Sequence, residues 1–287
     1  MSKKLTIYSL LALGLLLALG ACNTGTNPDD FVVPPHRETV AKPEGAIRLM
    51  TYNVLRFVYD QNDPYNYSTI ASMVKEKEVD AICLNELDKH TTRSRNDDQL
   101  QLFAQALGGW DYEFGSAMPY KGGDYGEGIA TREPAVRQFS IPLPKGSGAE
   151  PRVLVVMELE DYVIATTHLD HVSSEAQLGQ VEKITAEIAK LYKDSDKPVF
   201  LGGDLNATPD SKTIKLLEQS WRRLSSTQPT FPSRSPKSCI DYIFQYINGV
   251  ECEVLHTEVI RFMSSGNPAT ASDHLPVIVD VKILGKH

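Results

Sequence analysis

A carboxylate and an amide stand two positions apart, at Asp204 and Asn206, directly after the apolar residues 199–201 and the pair Gly202-Gly203. Residues i and i+2 of an extended strand project to the same side, so we expect both side chains in one site. The glycines allow the backbone to approach another group closely. The stretch is typical of a strand that ends in a catalytic site, and a Gly-Asp turn that caps the next helix is the alternative.

Polar side chains also stand at the ends of other predicted strands. They belong to Asn53, Glu86, His168 with Asp170, Asp241, and Asp273 with His274. Each has a structural alternative when taken alone, because an asparagine can bond the backbone, an aspartate can cap a turn and a histidine can be structural. Buried charge is costly unless it is paired or bound to metal, so one shared site is the simplest explanation for the whole set.

Strand-like and helix-like stretches alternate from residue 46 onward. Apolar positions at helical spacing, among them Val181, Ile184 and Ile188, predict an amphipathic helix over 173–193. The other predicted helices cover 67–77, 97–107 and 211–219, and the predicted strands cover 46–54, 79–86, 112–117, 128–131, 135–142, 152–158, 162–168, 239–247, 250–260 and 275–281, in addition to the buried strand with apolar residues 199–201. This order predicts an α/β fold in which two sheets pack face to face with helices outside.

The N-terminus has the features of a signal peptide. Lys3 and Lys4 precede an apolar run that ends in Gly20, Ala21 and Cys22. Small residues before a cysteine resemble a bacterial lipoprotein box, in which the cysteine is lipidated after cleavage. An uncleaved membrane anchor is the alternative, but the run of about 17 residues is short for a bilayer span and gives the cysteine no role.

The sequence therefore divides into a lipoprotein signal peptide over 1–21, a flexible tether over 22–45 and a catalytic domain over 46–287. The tether is rich in proline and poor in apolar residues. Lipidation of Cys22 adds more than one acyl chain, which suffices for stable anchoring. We expect the protein in the bacterial cell envelope, bound to the membrane through Cys22 at the outer membrane.

The chain of 287 residues carries a net charge of −8 and has no block of basic residues. A protein that grips long nucleic acid usually has a basic footprint, so we expect no stable complex with nucleic acid. A nuclease remains possible, since a bound cation reverses the local field. We expect a monomer.

The cysteines predict free thiols. Cys239 and Cys252 flank Asn248-Gly249, a strong signal for a two-residue hairpin turn. If the hairpin pairs closely at this turn, Cys239 faces position 258 and lies about 20 Å from Cys252 along the strand. A disulfide needs α-carbons within about 7 Å.

Six motifs resemble those of the endonuclease/exonuclease/phosphatase superfamily. They are Thr51-Tyr52-Asn53-Val54, Asn85-Glu86, Thr167-His168-Leu169, Gly203-Asp204-Leu205-Asn206, Ile240-Asp241-Tyr242 and Ser272-Asp273-His274, in the order of the family. The resemblance implies a four-layer α/β sandwich and hydrolysis of a phosphate ester with Mg²⁺ or Mn²⁺. It is closest to the bacterial branch of secreted or membrane-associated hydrolases.

Hydrolysis of a phosphodiester needs a cation on the phosphate, a base for water and a group that neutralises the developing charge. Mg²⁺ needs only one or two protein carboxylates, so Glu86 is the first candidate ligand, with Asn53 beside it and Asp273 as a further candidate. The resemblance implies that Asp204 orients or deprotonates the attacking water. It also implies that Asn206 donates a hydrogen bond to the transition state.

The histidines receive roles on the same basis. His274 would contact the phosphate or shuttle a proton, with Asp241 holding its tautomer. His168 would donate to a phosphate oxygen or to the leaving group. Asp170 is a candidate contact for metal or substrate, while His171 is equally a solvated loop residue.

Arg93 and Arg152 lie in stretches similar to the bacterial branch and are candidates to bind an anionic substrate, with solvated surface arginines as the alternative. Two positions depart from that branch. Glu127 stands where relatives commonly have Asn, and a carboxylate there would repel phosphate or bind a second cation. Gln177 stands where relatives commonly have Arg.

These observations favour a metal-dependent phosphoesterase that acts on a small or lipid-linked phosphodiester outside the cytoplasm. A periplasmic or surface nuclease is the second hypothesis, and a catalytically silent binding module is the third. The binding module is disfavoured because candidates for every catalytic role are present. The natural substrate does not follow from the sequence, because substrate-selecting loops vary on a common site.

Overall fold

The structure is a computed structural model that describes residues 40–58 and 65–286. The predicted signal peptide, Cys22 and residues 23–39 of the predicted tether lie outside the described residues. Among the helices of the described part, none has the length and apolar character needed to cross a membrane.

The described residues form twelve strands and five α-helices. The strands are β1 (Ile47–Asn53), β2 (Ala81–Lys89), β3 (Asp111–Tyr120), β4 (Gly123–Thr131), β5 (Arg137–Leu143), β6 (Arg152–Glu158), β7 (Val163–Thr167), β8 (Val199–Asp204), β9 (Trp221–Arg223), β10 (Asp241–Tyr246), β11 (Val250–Val259) and β12 (Val277–Lys286). The helices are α1 (Tyr67–Glu76), α2 (Gln99–Leu107), α3 (Ser174–Tyr192), α4 (Lys212–Leu217) and α5 (Pro268–Ala271). The short elements β9 and α5 have no counterpart in the sequence prediction.

Two mixed sheets of six strands each form the centre of the domain. The first sheet has the order β11-β12-β1-β2-β4-β3, and the second has the order β5-β6-β7-β8-β10-β9. Most neighbouring strands are antiparallel, but β1 is parallel to β2 and β7 is parallel to β8. In each parallel pair, the carboxyl ends of both strands lie at the same edge of the sheet. Predicted site residues lie at these strand ends.

Apolar cores fill the layers of this structure. Helices α1 and α2 cover the outer face of the first sheet, and α3 and α4 cover the outer face of the second. A third core lies between the sheets, where Leu49 and Cys83 of the first sheet meet Val155, Phe200 and Ile243 of the second. The predicted four-layer α/β sandwich is confirmed.

Strand alternation decides which polar side chains enter the space between the sheets. Leu49 of β1 and Phe200 of β8 lie in the inner core. Asn53 and Asp204 each stand four positions later on the same strands, so they point to the same inner face. The period of the strands therefore aims these two polar groups at one another at the end of the sandwich.

Gly202 and Gly203 permit the close approach that the sequence predicts. A Cβ atom at Gly202 would lie 2.8 Å from Sγ of Cys83 in the opposite sheet. A Cβ atom at Gly203 would lie 2.0 Å from the carbonyl oxygen of Thr167 in the adjacent strand. Any side chain at these positions would push apart the strands that carry the site.

The turn at Asn248-Gly249 passes the chain from one sheet to the other and does not form a hairpin. Strand β10 pairs with β8 and β9, whereas β11 pairs with β12. The predicted register of Cys239 against position 258 is therefore wrong, and Glu258 pairs with Ile278. A two-residue turn signal shows where the chain reverses, but the pairing partners are chosen by the sheets that bury each strand.

Cys83, Cys239 and Cys252 are free and buried, which confirms the predicted free thiols for the cysteines of the described residues. Burial raises the pKa of Cys83 to about 12. Burial also raises the pKa values of Cys239 and Cys252 to about 11. These thiols remain protonated at neutral pH and serve as small apolar groups of the core.

A buried ion pair joins β1 to β12. Nε of Arg48 lies 2.6 Å from Oδ1 of Asp280, and Nη2 lies 2.7 Å from Oδ2. Nη1 of Arg48 donates to the carbonyl oxygen of Lys77 at 2.7 Å. Because both charged side chains are buried, removal of one partner leaves an uncompensated charge in the interior.

We predict that Asp280→Ala lowers the free energy of unfolding by about 3–5 kcal/mol, the usual effect of breaking a buried ion pair. Asp194→Ala, at an exposed pair with Lys193, serves as the control and should leave stability unchanged. Urea unfolding followed by circular dichroism measures both variants. Equal stabilities for the two variants would show that the pair does not stabilise the fold.

Candidate active site

The predicted site residues meet in a cavity of about 430 Å³ at the end of the sandwich where β1 and β8 finish. The predicted residues that line it are Glu86, Arg93, Arg152, His168, Asp204, Asn206, Asp273 and His274. Asn53 and Asp241 lie directly behind this lining and bond to it. Asp170 lies outside the lining.

The side-chain amide of Asn53 joins the two sheets beneath the cavity. Its Nδ2 donates to Oε1 of Glu86 and to Oδ2 of Asp204, both at 3.1 Å, and lies 3.5 Å from Nε2 of His274. Its oxygen accepts the backbone N–H of Leu55 at 3.1 Å. Because the oxygen is engaged and the amide nitrogen faces the carboxylates, Asn53 orients Glu86 and Asp204 here, which differs from its predicted role as a metal ligand.

Asn85 makes a second connection between the sheets, to which the sequence analysis gave no role. Its Oδ1 accepts the backbone N–H of Asp204 at 2.9 Å, and its Nδ2 donates to the carbonyl oxygen of Thr167 at 3.1 Å. The side chain is fully buried. Its place on the inner face, two residues after Cys83 on the same strand, is the sequence signal that identifies it.

Glu86 reaches the cavity because β2 bulges at this point. The pairing of β2 with β4 shifts register between Leu84 and Leu87, and Glu86 has a left-handed φ of +61°. Bulges of this kind re-aim a side chain beside a site. Burial raises the pKa of Glu86; the hydrogen bond from Asn53 opposes this shift, and the charge of Asp273 adds to it.

Asp204 and Asn206 share the cavity, as predicted, but a turn brings them together. The strand ends at Asp204, and Asn206 has a left-handed φ of +48°. Oδ1 of Asp204 accepts the backbone N–H of Asn206 at 2.9 Å. Nδ2 of Asn206 donates to Nε2 of His168 at 2.8 Å and to the carbonyl oxygen of Leu169 at 3.0 Å.

The surroundings of His168 favour a neutral imidazole with its proton on Nδ1. This tautomer follows because Nε2 accepts the hydrogen bond from Asn206. Burial lowers the pKa of His168 well below its usual value, and the charge of Arg152 lowers it further. Nδ1 faces Oε1 of Glu127 at 4.0 Å, so the carboxylate favours the same tautomer.

His274 lies between two carboxylates. Its Nδ1 is 3.0 Å from Oδ2 of Asp241, and its Nε2 is 3.6 Å from Oδ2 of Asp204. The hydroxyl of Thr230 donates to Asp241. Burial alone would lower the pKa of His274, but the charges of Asp241 and Asp204 outweigh burial and raise it. The ring of Phe231 packs on the imidazole with 4.7 Å between centroids.

Glu127 is fully buried and does not line the cavity. Its Oε2 accepts Nδ2 of Asn85 at 2.9 Å and the backbone N–H of Glu86 at 3.2 Å. Burial raises its pKa to about 7, against the opposing charge of Arg152. The residue therefore holds the bulge that presents Glu86, and this arrangement differs from the phosphate repulsion or second cation that the sequence suggested.

Asp170 organises the loop that follows His168. Its Oδ2 accepts the backbone N–H of Ala149 at 2.7 Å. Its Oδ1 accepts the backbone N–H groups of Val172 and Ser173 at 2.9 and 2.7 Å. Because both oxygens face backbone donors, this arrangement differs from the predicted contact with metal or substrate.

Gln177 links two loops that carry site residues. Its Nε2 donates to the carbonyl oxygens of Asp170 and Asn206 at 2.7 and 3.0 Å, and its Oε1 accepts the hydroxyl of Thr213 at 2.7 Å. Hydrogen bonds to both its amide nitrogen and its amide oxygen thus fix the Gln177 side chain. The sequence marked this position only as a departure from relatives.

The donor set fits a divalent cation that prefers oxygen ligands. Glu86, Asp204, Asp241 and Asp273 concentrate four carboxylates around one charged imidazole, and burial raises the pKa values of Glu86 and Asp204. A cation would relieve this excess of negative charge. Asp204, Asp241 and His274 also place one potential ligand atom each within 4.8 Å of one another.

Comparisons with known proteins identify a family and a fold for this chain. The model of the Endonuclease/Exonuclease/phosphatase family matches residues 50–274. No curated protein sequence matches the chain. The mannosyl-6-phosphatase of Bacteroides thetaiotaomicron is similar in structure, with a TM-score of 0.65 and 20% identity over 82% of this chain and 99% of that one.

Two further solved structures share the fold. An endonuclease/exonuclease/phosphatase from Beutenbergia cavernae has a TM-score of 0.65 and 22% identity over 84% of this chain and 72% of that one. The human Nocturnin catalytic domain, solved with a bound sulfate anion, has a TM-score of 0.66 and 18% identity over 88% of this chain and 99% of that one. These likenesses establish the fold, and the family match spans most of the chain. The protein belongs to the endonuclease/exonuclease/phosphatase family of hydrolases.

Proposed function

We propose that this protein is a divalent-metal-dependent phosphoesterase that hydrolyses a small or lipid-linked phosphodiester outside the cytoplasm. One observation carries the proposal: Glu86, Asp204 and His274, which are far apart in the sequence, meet around the amide of Asn53 in one cavity. Carboxylates and an imidazole arranged in this way provide the groups that phosphate ester hydrolysis requires.

Glu86 and Asp273 would hold the cation, either Mg²⁺ or Mn²⁺. Both line the cavity, and one or two protein carboxylates are the usual complement for Mg²⁺. The alternative group of Asp204, Asp241 and His274 is less suited, because both nitrogens of His274 face carboxylates in an ion-pair arrangement. A bound cation supplies positive charge that offsets the charge of the phosphate ester.

The protein's own groups would then act on water and on the ester. Asp204 accepts a proton from the attacking water, with its carboxylate held by Asn53 and by the backbone of Asn206. His274, backed by Asp241, donates a hydrogen bond to the phosphate or shuttles a proton. Both hydrogens of the Asn206 amide are engaged, one by His168 and one by the carbonyl oxygen of Leu169, so Asn206 orients His168 beside the reacting group and, unlike the predicted role, makes no direct donation to the transition state.

The dimensions and charge of the protein support a small substrate. The cavity of about 430 Å³ suits a head group or a sugar-sized ligand. The net charge of −8 gives no attraction to nucleic acid, so a stable complex with it is not part of this proposal. The structural similarity to the mannosyl-6-phosphatase of Bacteroides thetaiotaomicron also supports a small phosphate ester as the substrate.

We predict hydrolysis of bis-p-nitrophenyl phosphate with Mg²⁺ or Mn²⁺ and loss of this activity in EDTA, because the cation offsets charge on the ester. The assay releases p-nitrophenol and is followed by absorbance. Phospholipid, mannose 6-phosphate and nucleic acid should be tested in parallel under the same conditions. Full activity in EDTA would contradict metal dependence, and a strong preference for nucleic acid would favour the nuclease.

Asp204→Asn should reduce turnover by about 100- to 10,000-fold, the usual contribution of a general base. Circular dichroism and thermal unfolding should show an intact fold. Asp196→Asn is the control, because the Asp196 side chain is 88% exposed, and it should keep full activity. A variant Asp204→Asn that retains most of its turnover would remove Asp204 from the mechanism.

Membrane anchoring through lipidated Cys22 is part of the same proposal, with the protein at the outer membrane of the cell envelope and monomeric. We predict that Cys22→Ser moves the protein from the membrane fraction to the soluble fraction, because the acyl chains are lost. Detergent phase partitioning of the two proteins measures this change. Equal partitioning would indicate that the lipoprotein interpretation is wrong.

A further inference from the structure

One side of the cavity is built from cationic and phenolic groups, in contrast to the carboxylates beneath it. We call this side the arginine wall and define it as Arg93, Tyr120, Tyr125 and Arg152, all of which line the cavity. The guanidinium of Arg93 lies 4.2 Å from the ring centroid of Tyr120 and 5.5 Å from that of Tyr125. The arginine wall therefore holds hydrogen-bond donors in defined positions beside the site.

Arg93 is held in place by a buried carboxylate. Its Nε and Nη2 donate to the two oxygens of Asp88, both at 2.7 Å. Asp88 is fully buried and also accepts the hydroxyls of Thr91 and Ser94. These bonds use one edge of the guanidinium and leave Nη1 outside the pair. A guanidinium fixed in this way presents its remaining donors without loss of side-chain freedom on binding.

Arg152 is a buried cation with incomplete hydrogen bonding. The residue is 2% exposed, and neither its Nε nor its Nη1 has a hydrogen-bond partner among the described residues. Nη2 lies 3.3 Å from Nδ1 of His171 and 3.4 Å from Oε2 of Glu150, and the charge of Arg152 also acts on the buried carboxylate of Glu127. A buried guanidinium with unused donors is costly, and an anion beside it offsets that cost.

Glu150 occupies the position next to Arg152 that an anionic ligand would take. Its contact with Nη2 is long, at 3.4 Å, and its side chain is 35% exposed. It can therefore move into solvent when another anion approaches. Glu150 also lines the cavity, so its carboxylate competes directly with a ligand for the arginine wall.

Tyr125 adds a neutral donor to the wall. The residue is 7% exposed and lines the cavity. Burial raises the pKa of its phenol, and the charges of Glu86 and Glu127 raise it further, so the hydroxyl stays protonated. A protonated phenol near two guanidinium groups binds an oxyanion and carries no charge that repels it.

We propose that the arginine wall binds a second anionic group of the substrate, next to the scissile phosphate ester. The substrate class is thus an ester that carries a further phosphate or carboxylate on the part of the molecule facing Arg93 and Arg152. This inference rests on the proposed phosphoesterase function. The acidic side of the cavity takes the cation and the reacting phosphate, and the wall selects among esters by their second charge.

The test compares two chromogenic esters that differ by one anionic group: thymidine 5′-(p-nitrophenyl phosphate) and the same compound with a 3′-phosphate. We expect kcat/KM for the 3′-phosphorylated ester to be about tenfold higher, the effect of one charge-assisted hydrogen-bonded pair. Arg93→Lys and Arg152→Lys should lower this ratio, because lysine lacks the planar fork. Glu150→Gln should raise it, because the competing carboxylate is gone.

Arg132→Lys is the matched control. Arg132 lies outside the cavity with a side chain that is 49% exposed, so the ratio should remain that of the natural protein. Arg93→Lys keeps a cation beside the buried Asp88, and thermal unfolding of each variant verifies that it folds. Natural protein that hydrolyses both esters equally well would overturn the inference and leave the proposed function standing.

Two other outcomes would also overturn the inference. A tenfold ratio that survives in both lysine variants would place the second anion elsewhere and overturn the role of the wall. Failure of the natural protein to hydrolyse either ester with Mg²⁺ or Mn²⁺ would overturn the proposed phosphoesterase function, and the inference would fall with it.

Discussion

Hydrogen bonds between side-chain amides and Asp204 across the gap between the two sheets are the interaction on which the site depends. Asn53 and Asn85 extend from the first sheet, and they bond the carboxylate and the backbone N–H of Asp204 in the second. Gly202 and Gly203 make this approach possible, because a Cβ atom at either position would collide with its neighbours. These hydrogen bonds therefore fix the position of one sheet relative to the other at the end that carries the cavity.

This connection also explains how the fold tolerates a high density of buried charge. Three of the four carboxylates near the centre have donors from a different part of the chain: Glu86 and Asp204 have the amide of Asn53, and Asp241 has His274 and Thr230. Buried acids without such partners would neutralise themselves by taking up protons. The remaining excess of negative charge faces the cavity, and the arginine wall lines the same cavity. A cation and an anionic ester complement these two surfaces.

Much of this could be predicted from the sequence because it follows from short-range rules. Strand alternation places Asn53 and Asp204 on the inner face, and the helical spacing of Val181, Ile184 and Ile188 marks the buried side of α3. Other features depend on contacts that no local pattern encodes. The bulge at Glu86 is set by pairing with β4, and the turn after β10 leads to a different sheet. Long-range partners likewise determine how Glu127 and Gln177 are used, whereas Asp170 mainly bonds the nearby backbone of Val172 and Ser173.

We propose that the cavity binds a divalent cation on Glu86 and Asp273, beside the carboxylate of Asp204. Crystals grown with Mn²⁺ and measured near the manganese absorption edge test it most directly, because the anomalous signal locates the ion without reference to activity. We expect an anomalous peak in contact with the carboxylate of Glu86. A peak held by Asp204, Asp241 and His274, or the absence of any peak in the cavity, would contradict it.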